Sequence, residues 1–222
     1  MKTLFAITLT LISFTFAIAQ NEQSPIVEKD IAYKDWTYKN SRTGEDTHLR
    51  DLIKGKKLAI VIYYAPWCHN WQHDAPMVER LYEKYKAAGL EVVAVSEYDL
   101  LSNTKANLDQ FKITFPAVYE SESRNDKQTT SHYNYRKSTG DSRGWGSPYY
   151  VFLSPANLEK KGDVLTKKTF VINGEMIDVE GEKFIREHLG LPAETLKPTV
   201  AANGQIEVCD PAKPSTPALK KP

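Results

Sequence analysis

An α/β fold is what this 222-residue sequence predicts, and three adjoining segments predict it. Leu58 to Tyr64 is an unbroken apolar, β-branched and aromatic run, the pattern of a strand buried on both faces. Asp74 to Ala88 carries Val78, Leu81, Tyr82, Tyr85 and Ala88 at helical spacing, and Gly89 suits its end. Leu90 to Val95 is a second strand. Strand, helix, strand in that order is a βαβ unit, whose two strands pair in parallel.

The later elements are weaker in the sequence. Asn103 to Lys112 is a helix candidate with Leu108 and Phe111 on one side, and Phe115 to Tyr119 a short extended piece. Ser121 to Ser147 is polar and reads as a long loop with some helix. Tyr149 to Leu153 is a strand opened by Pro148. Thr169 to Ile172 and Glu175 to Val179 flank Asn173-Gly174, a two-residue hairpin signal. Gly181 to Leu189 makes a last helix, stopped by Gly190 and Pro192. Asn21 to Lys54 is mixed and polar, without a clear period.

The ends carry different signals. Met1-Lys2-Thr3, an uncharged apolar run from Leu4 to Ile18, and Ala17-Ile18-Ala19 read as a secretory signal peptide cut after Ala19. The run is short for a membrane span, and no later segment is apolar enough to be one. The Pro-rich stretch 192–222 is expected to be a disordered tail. The expected layout is therefore signal peptide 1–19, N-terminal extension 20–46, one domain over 47–191, and the tail. The formal net charge is +1, and Lys2 in the leader accounts for it. That balance gives no electrostatic case for nucleic acid or for an anionic membrane surface.

Two cysteines, Cys68 and Cys209, are too few for a disulfide scaffold. Cys68 follows a buried strand and opens a helix, where free N–H groups and the helix dipole favour a thiolate over a thiol. A small buried hydrophobe at a strand end is the competing reading.

Ala65-Pro66-Trp67-Cys68-His69-Asn70-Trp71-Gln72-His73-Asp74-Ala75-Pro76 resembles the thioredoxin superfamily, above all the exported TlpA/ResA-type thiol-disulfide oxidoreductases. Trp67, Cys68 and Pro76 match the family's Trp-Cys-x-x-Cys signature with a proline five residues beyond it. Leu52 to Lys56, Phe115-Pro116 and Ser147-Pro148 resemble further family segments, and the resemblance runs from about Thr47 to Leu189. It implies a three-layer fold, a central mixed sheet flanked by helices. It implies Cys68 as nucleophile, Pro148 as the cis-proline facing it, and protein or small-molecule thiols and disulfides as partners, without a cofactor. It places the chain outside the cytoplasm, periplasmic or secreted.

The sequence departs from that pattern twice. Trp71 stands where the resolving cysteine would be, and an indole cannot release a mixed disulfide. Ile62 stands where many thioredoxins carry a buried acid. Release then needs an outside thiol or Cys209, whose tail can reach the active face because loop entropy grows slowly with length. Cys209 also fits a structural disulfide pinning the tail. Trp67 and Trp71 are candidate walls of a substrate groove. Cys68, His69 and His73, with Asp74 adjacent, are ligand types for zinc or copper, but the cluster lacks a clear fourth ligand and no metal site is expected. Three readings follow: a monothiol or Cys209-coupled redox protein, a binding module on a degenerate redox fold, and, last, a metal-handling protein.

Overall fold

The computed structural model describes residues 23–193. The expected signal peptide, Cys209 and all but the start of the Pro-rich stretch lie outside the described residues. The βαβ unit is present as expected: β5 (Leu58–Tyr64), α2 (His69–Tyr85) and β6 (Leu90–Ser96), with β5 and β6 parallel. Gly89 ends the helical segment in the left-handed region at φ 109°.

Around this unit lie β1 (Gln23–Ser24), β2 (Val27–Lys34), β3 (Thr37–Asn40), β4 (Asp46–His48) and α1 (Leu49–Leu52). After β6 come α3 (Leu101–Gln110), β7 (Ala117–Tyr119), α4 (Ser131–Ser138), β8 (Tyr149–Leu153), β9 (Val164–Ile172), β10 (Glu175–Met176) and α5 (Asp178–Leu189). The main sheet is mixed and eight-stranded, in the order β2-β9-β8-β5-β6-β7-β3-β4.

β5 lies inside this sheet, and its alternation fills two cores. Leu58, Ile60, Ile62 and Tyr64 face the layer built with α2, α3 and α5, where Trp71, Leu81, Leu108 and Ile185 pack. Ala59, Val61 and Tyr63 face the opposite layer, with Tyr33, Leu49 and Tyr149. A strand between two helix-bearing layers has no solvent face, hence its continuous apolar run.

Two expectations change. Within the expected N-terminal extension, residues 23–46 supply β2, β3 and the first residue of β4 to the main sheet, so the sheet extends beyond the expected domain start at 47. Their polar composition follows from their place at the sheet's edges: in β2 only Ile31 and Tyr33 are buried, between exposed Glu28, Asp30 and Lys34. The hairpin at Asn173-Gly174 does not form. β9 is already paired on both sides, with β2 and β8, so β10 has no edge of it to join and pairs with β1 instead, in parallel. The last helix starts at Asp178, earlier than its apolar spacing indicated, with Asp178 and Glu180 at its positive end.

Candidate active site

Cys68 is the N-cap residue of α2, with no exposed surface. It is disulfide-bonded. Cys209 is the one other cysteine in the sequence and lies outside the described residues. The Cys68 backbone closes the turn that ends β5, its N–H donating to the Ala65 carbonyl at 2.9 Å. The peptide Ser147–Pro148 is cis, as the resemblance implied, and the Cys68 Sγ lies 3.2 Å from the Ser147 carbonyl oxygen. Ser147 Oγ accepts the Ala65 N–H at 2.9 Å, fastening this loop to the turn that carries Cys68.

The two tryptophans expected along a groove differ. Trp67 is partly exposed and meets Trp145 edge-on at 5.3 Å between ring centroids. Trp71 has no exposed surface. It packs on Tyr64, ring centroids 4.4 Å apart, and its Nε1–H donates to Asn107 Oδ1 at 2.9 Å. Asn107 in turn donates to the Pro66 carbonyl at 3.2 Å, so the indole and α3 together brace the Cys68 turn. Trp71→Ala is therefore expected to cost about 3–5 kcal/mol, as other large-to-small core changes do, measured by denaturant unfolding. A loss below about 1 kcal/mol would mean that the indole is not core packing.

Ile62 is buried in mid-strand, and a buried acid, Asp74, lies on α2. Asp74 is buried, and accepts from the Met176 N–H at 2.9 Å and from the hydroxyl of Tyr150, the residue paired with Ile62 on β8. Burial raises the Asp74 carboxyl to about 8, against the pull of these hydrogen bonds. The sequence pattern counted Asp74 only as a neighbour of the histidines. Its partners come from β8 and β10, which no local spacing reveals.

His73 pairs with Glu175 at 2.9 Å, and that hydrogen bond raises its pKa. His73, Asp74 and Glu175 bring ligand atoms within 4.8 Å of one another. The sequence cluster grouped His73 with Cys68, whereas the structure groups it with Glu175, and Cys68 is engaged in its disulfide. His69 is half-buried beside Cys68.

The polar stretch 121–147 is where sequence reasoning saw least. It holds α4 and a buried charge cluster. Arg136, with no exposed surface, pairs with Asp141 at 3.1 Å and donates to the Arg143 carbonyl at 3.2 Å. Arg143 pairs with the same carboxylate at 2.7 Å and donates to the carbonyls of Gly146 at 3.1 Å and Pro148 at 3.2 Å. Burial alone would raise the Asp141 carboxyl, but the Arg143 hydrogen bond and both arginine charges hold it below its usual range. His132 Nε2–H donates to the Gly146 carbonyl at 3.1 Å, and burial keeps the imidazole neutral. Gly146 has φ 62°, and a Cβ there would fall 1.7 Å from Arg136 Nη1. The insert thus holds the Ser147–Pro148 loop against Cys68 through groups that admit no side chain at 146. The polar composition of 121–147 does not reveal this clamp; its glycines and arginines are the one trace of it in the sequence.

Comparison with known proteins follows the same line. The thiol-disulfide oxidoreductase ResA of Halalkalibacterium halodurans is 29% identical over 77 residues, which are 35% of this chain and 43% of that protein. The ResA of Oceanobacillus iheyensis is 33% identical over 72 residues, 31% of this chain and 35% of its own. The chain therefore spans less than half the length of these curated relatives. Among solved structures, a thioredoxin-family thiol:disulfide interchange protein from Chlorobium tepidum aligns with a TM-score of 0.53 at 17% identity, over 73% of this chain and 98% of its own. A thiol:disulfide interchange protein from Bacteroides sp. aligns at 0.51 and 14% identity, over 77% and 93%. At such identities the likeness speaks for the fold. The family model described as AhpC/TSA matches residues 30–177, most of the chain and every strand of the main sheet but the start of β2, and this protein belongs to that thioredoxin-like family.

Proposed function

We propose that this protein is an exported thiol-disulfide redox protein whose reacting sulfur is Cys68 and whose second thiol is Cys209. The observation that carries the reading is the disulfide-bonded Cys68 at the N-terminus of α2, held against the Ser147–Pro148 loop. In the reduced protein the helix end favours the Cys68 thiolate. That thiolate attacks a substrate disulfide. The substrate S–S bond breaks, one substrate sulfur leaves as thiolate, and the other joins Cys68 in a mixed disulfide. With Trp71 buried at the third position beyond Cys68, resolution falls to Cys209. Its thiolate attacks the Cys68 sulfur and displaces the second substrate thiol. The substrate gains two electrons, and the chain is left with a Cys68–Cys209 disulfide. Pro148 borders the substrate side of Cys68. The leader 1–19 supports delivery to an oxidising compartment, where such a couple persists.

The test is trapping of the mixed disulfide with a small-molecule disulfide, followed by intact mass. Reduced wild type should turn over without accumulating adduct, Cys209→Ser should accumulate it rapidly on Cys68, and Cys68→Ser should form it only on Cys209, at the slower rate of an ordinary thiol. Adduct formation on Cys209→Ser that is absent, or no faster than on Cys68→Ser, would remove Cys68 as the reacting sulfur. The full burial of both Cys68 and Trp71 favours a second reading, a binding module that retains the fold without turnover. Undiminished partner capture by Cys68→Ser, with no exchange by wild type, would favour it.

A further inference from the structure

Glu97 and Glu120 lie just past the C-terminal ends of two parallel strands. β6 and β7 pair in register up to Ser96 and Tyr119, so the next residue of each falls side by side on one face, strands about 4.8 Å apart. The Glu97 N–H donates to the Tyr64 carbonyl at 2.8 Å and the Glu120 N–H to the Ser96 carbonyl at 3.1 Å, which fixes both backbones. The two carboxyl groups meet there. Like charges so placed repel, and the carboxyl ends of parallel strands are where open α/β sheets take ligands.

Glu97 has no exposed surface, and neither of its carboxylate oxygens has a hydrogen-bond partner. Glu120 Oε1 accepts the Ser131 N–H at 2.8 Å, while its Oε2 is buried and unpartnered. Neither residue forms an ion pair among the described residues. The arginines of the adjoining insert, Arg136 and Arg143, pair with Asp141. Burial and the Glu120 charge push the Glu97 carboxyl well above its ordinary range. Two buried carboxyls in contact need a shared proton or a shared cation. A proton joins one oxygen of each and leaves a Glu97 oxygen as a buried acceptor without a donor, which is costly. A cation engages all three open oxygens.

We propose that Glu97 and Glu120 hold a calcium ion, Glu97 through both carboxylate oxygens and Glu120 through Oε2, with water completing the shell. A donor set of oxygens alone suits a hard cation rather than zinc or copper. A carboxylate with both oxygens open suits calcium, whose shell is flexible, whereas magnesium sheds its water reluctantly. Glu120 is part-exposed and gives the ion access from solvent. The ion braces the rim of the Cys68 site. Glu97 precedes Tyr98, a residue at φ 64° whose carbonyl accepts the Trp67 Nε1–H at 3.4 Å and whose hydroxyl meets Thr130 and His132 at 2.9 Å. Glu120 holds the first residue of α4, the helix that carries Arg136. The site is separate from the disulfide chemistry and does not rest on it.

The experiment uses the full-length chain freed of metal by a chelator. It reads terbium luminescence sensitised by tyrosine, with calcium as competitor, and thermal unfolding with calcium or chelator. Tyr38 and Tyr63 both feel the Glu120 charge and are close enough to pass excitation to an ion there. Calcium should empty the terbium site with half-effect at about 1 mM or below, and magnesium should need at least about tenfold more. Calcium at about 10 mM should raise the unfolding midpoint by about 4 °C over chelator. Glu97→Gln should weaken terbium binding at least about tenfold and abolish the calcium shift. Glu120→Gln, whose amide oxygen still accepts the Ser131 N–H, should do the same, and it decides the matter if Glu97→Gln does not fold. Wild type with neither a calcium-displaceable terbium signal nor a calcium shift would overturn the proposal. So would a calcium response undiminished in both variants, which places the ion elsewhere. A Glu97→Gln protein more stable than wild type in calcium and chelator alike would show that the pair shares a proton, and would overturn it too.

Discussion

Arg136→Met is expected to cost about 3–5 kcal/mol of stability, the range for breaking a buried, hydrogen-bonded ion pair from one side. The substitution keeps the bulk and removes the charge. Asp141 would keep Arg143, but the carbonyls of Arg143 and Gly144 would lose their donor inside the insert. Gly146→Ala should strike the same assembly from the other side, since its Cβ has no room beside Arg136 and its φ of 62° disfavours any side chain. Both variants are read by denaturant unfolding and by the alkylation rate of Cys68 in the reduced, folded protein. The loop delivers the Ser147 carbonyl to 3.2 Å from Cys68 Sγ, so losing the clamp should change that rate along with stability. Near-wild-type stability in both variants would show that the insert is not held by these charges.

The second large effect is a slope with pH. Asp74 has an ordinary value of 3.8 and is raised by burial to about 8, with the Glu175 charge acting in the same direction and His73 opposing it. The folded protein therefore keeps a proton on Asp74 that the unfolded chain gives up. Stability from this group is full below about pH 4 and falls as pH rises towards 8, where the folded carboxyl also ionises. The loss is on the order of several kcal/mol. Asp74→Asn is nearly isosteric, and its side-chain oxygen still accepts from the Tyr150 hydroxyl and the Met176 N–H. It should flatten the unfolding free energy between pH 4 and 8 and exceed wild type at the alkaline end. His73, raised above its ordinary 6.5 by the Glu175 hydrogen bond, adds a slope of the same sign that begins near 6.5, and the variant keeps that hydrogen bond. Parallel curves for variant and wild type would place the Asp74 proton elsewhere.

What was legible in the sequence was whatever a local pattern encodes. β5 and β6 are buried on both faces, so their apolar runs had no other reading, and Gly89 marked the end of the intervening helix by its backbone freedom. The place of Cys68 at a helix start was legible from the strand–helix pattern, and the cis Ser147–Pro148 peptide from the resemblance. The edge strands were not: β2 shows only Ile31 and Tyr33 to the core, too few to set a period. The false hairpin at Asn173-Gly174 carried the right turn residues, but strand pairing was decided by β2 and β8 occupying both sides of β9. Asp74 and the Arg136–Asp141–Arg143 cluster were illegible for one reason. A buried charge is recognised by its partners, and here those partners come from β8 and β10 in one case and from a folded-back loop in the other.

Cys68 is expected to exchange its disulfide while the domain stays folded. Peptide mapping of the full-length chain across a dithiothreitol ladder, with alkylation under native conditions, measures this directly. The expected result is a Cys68–Cys209 peptide that opens without loss of the folded far-ultraviolet signal and re-forms on adding oxidised glutathione. A Cys68 that is never linked to Cys209, or whose disulfide yields only after denaturation, would contradict it.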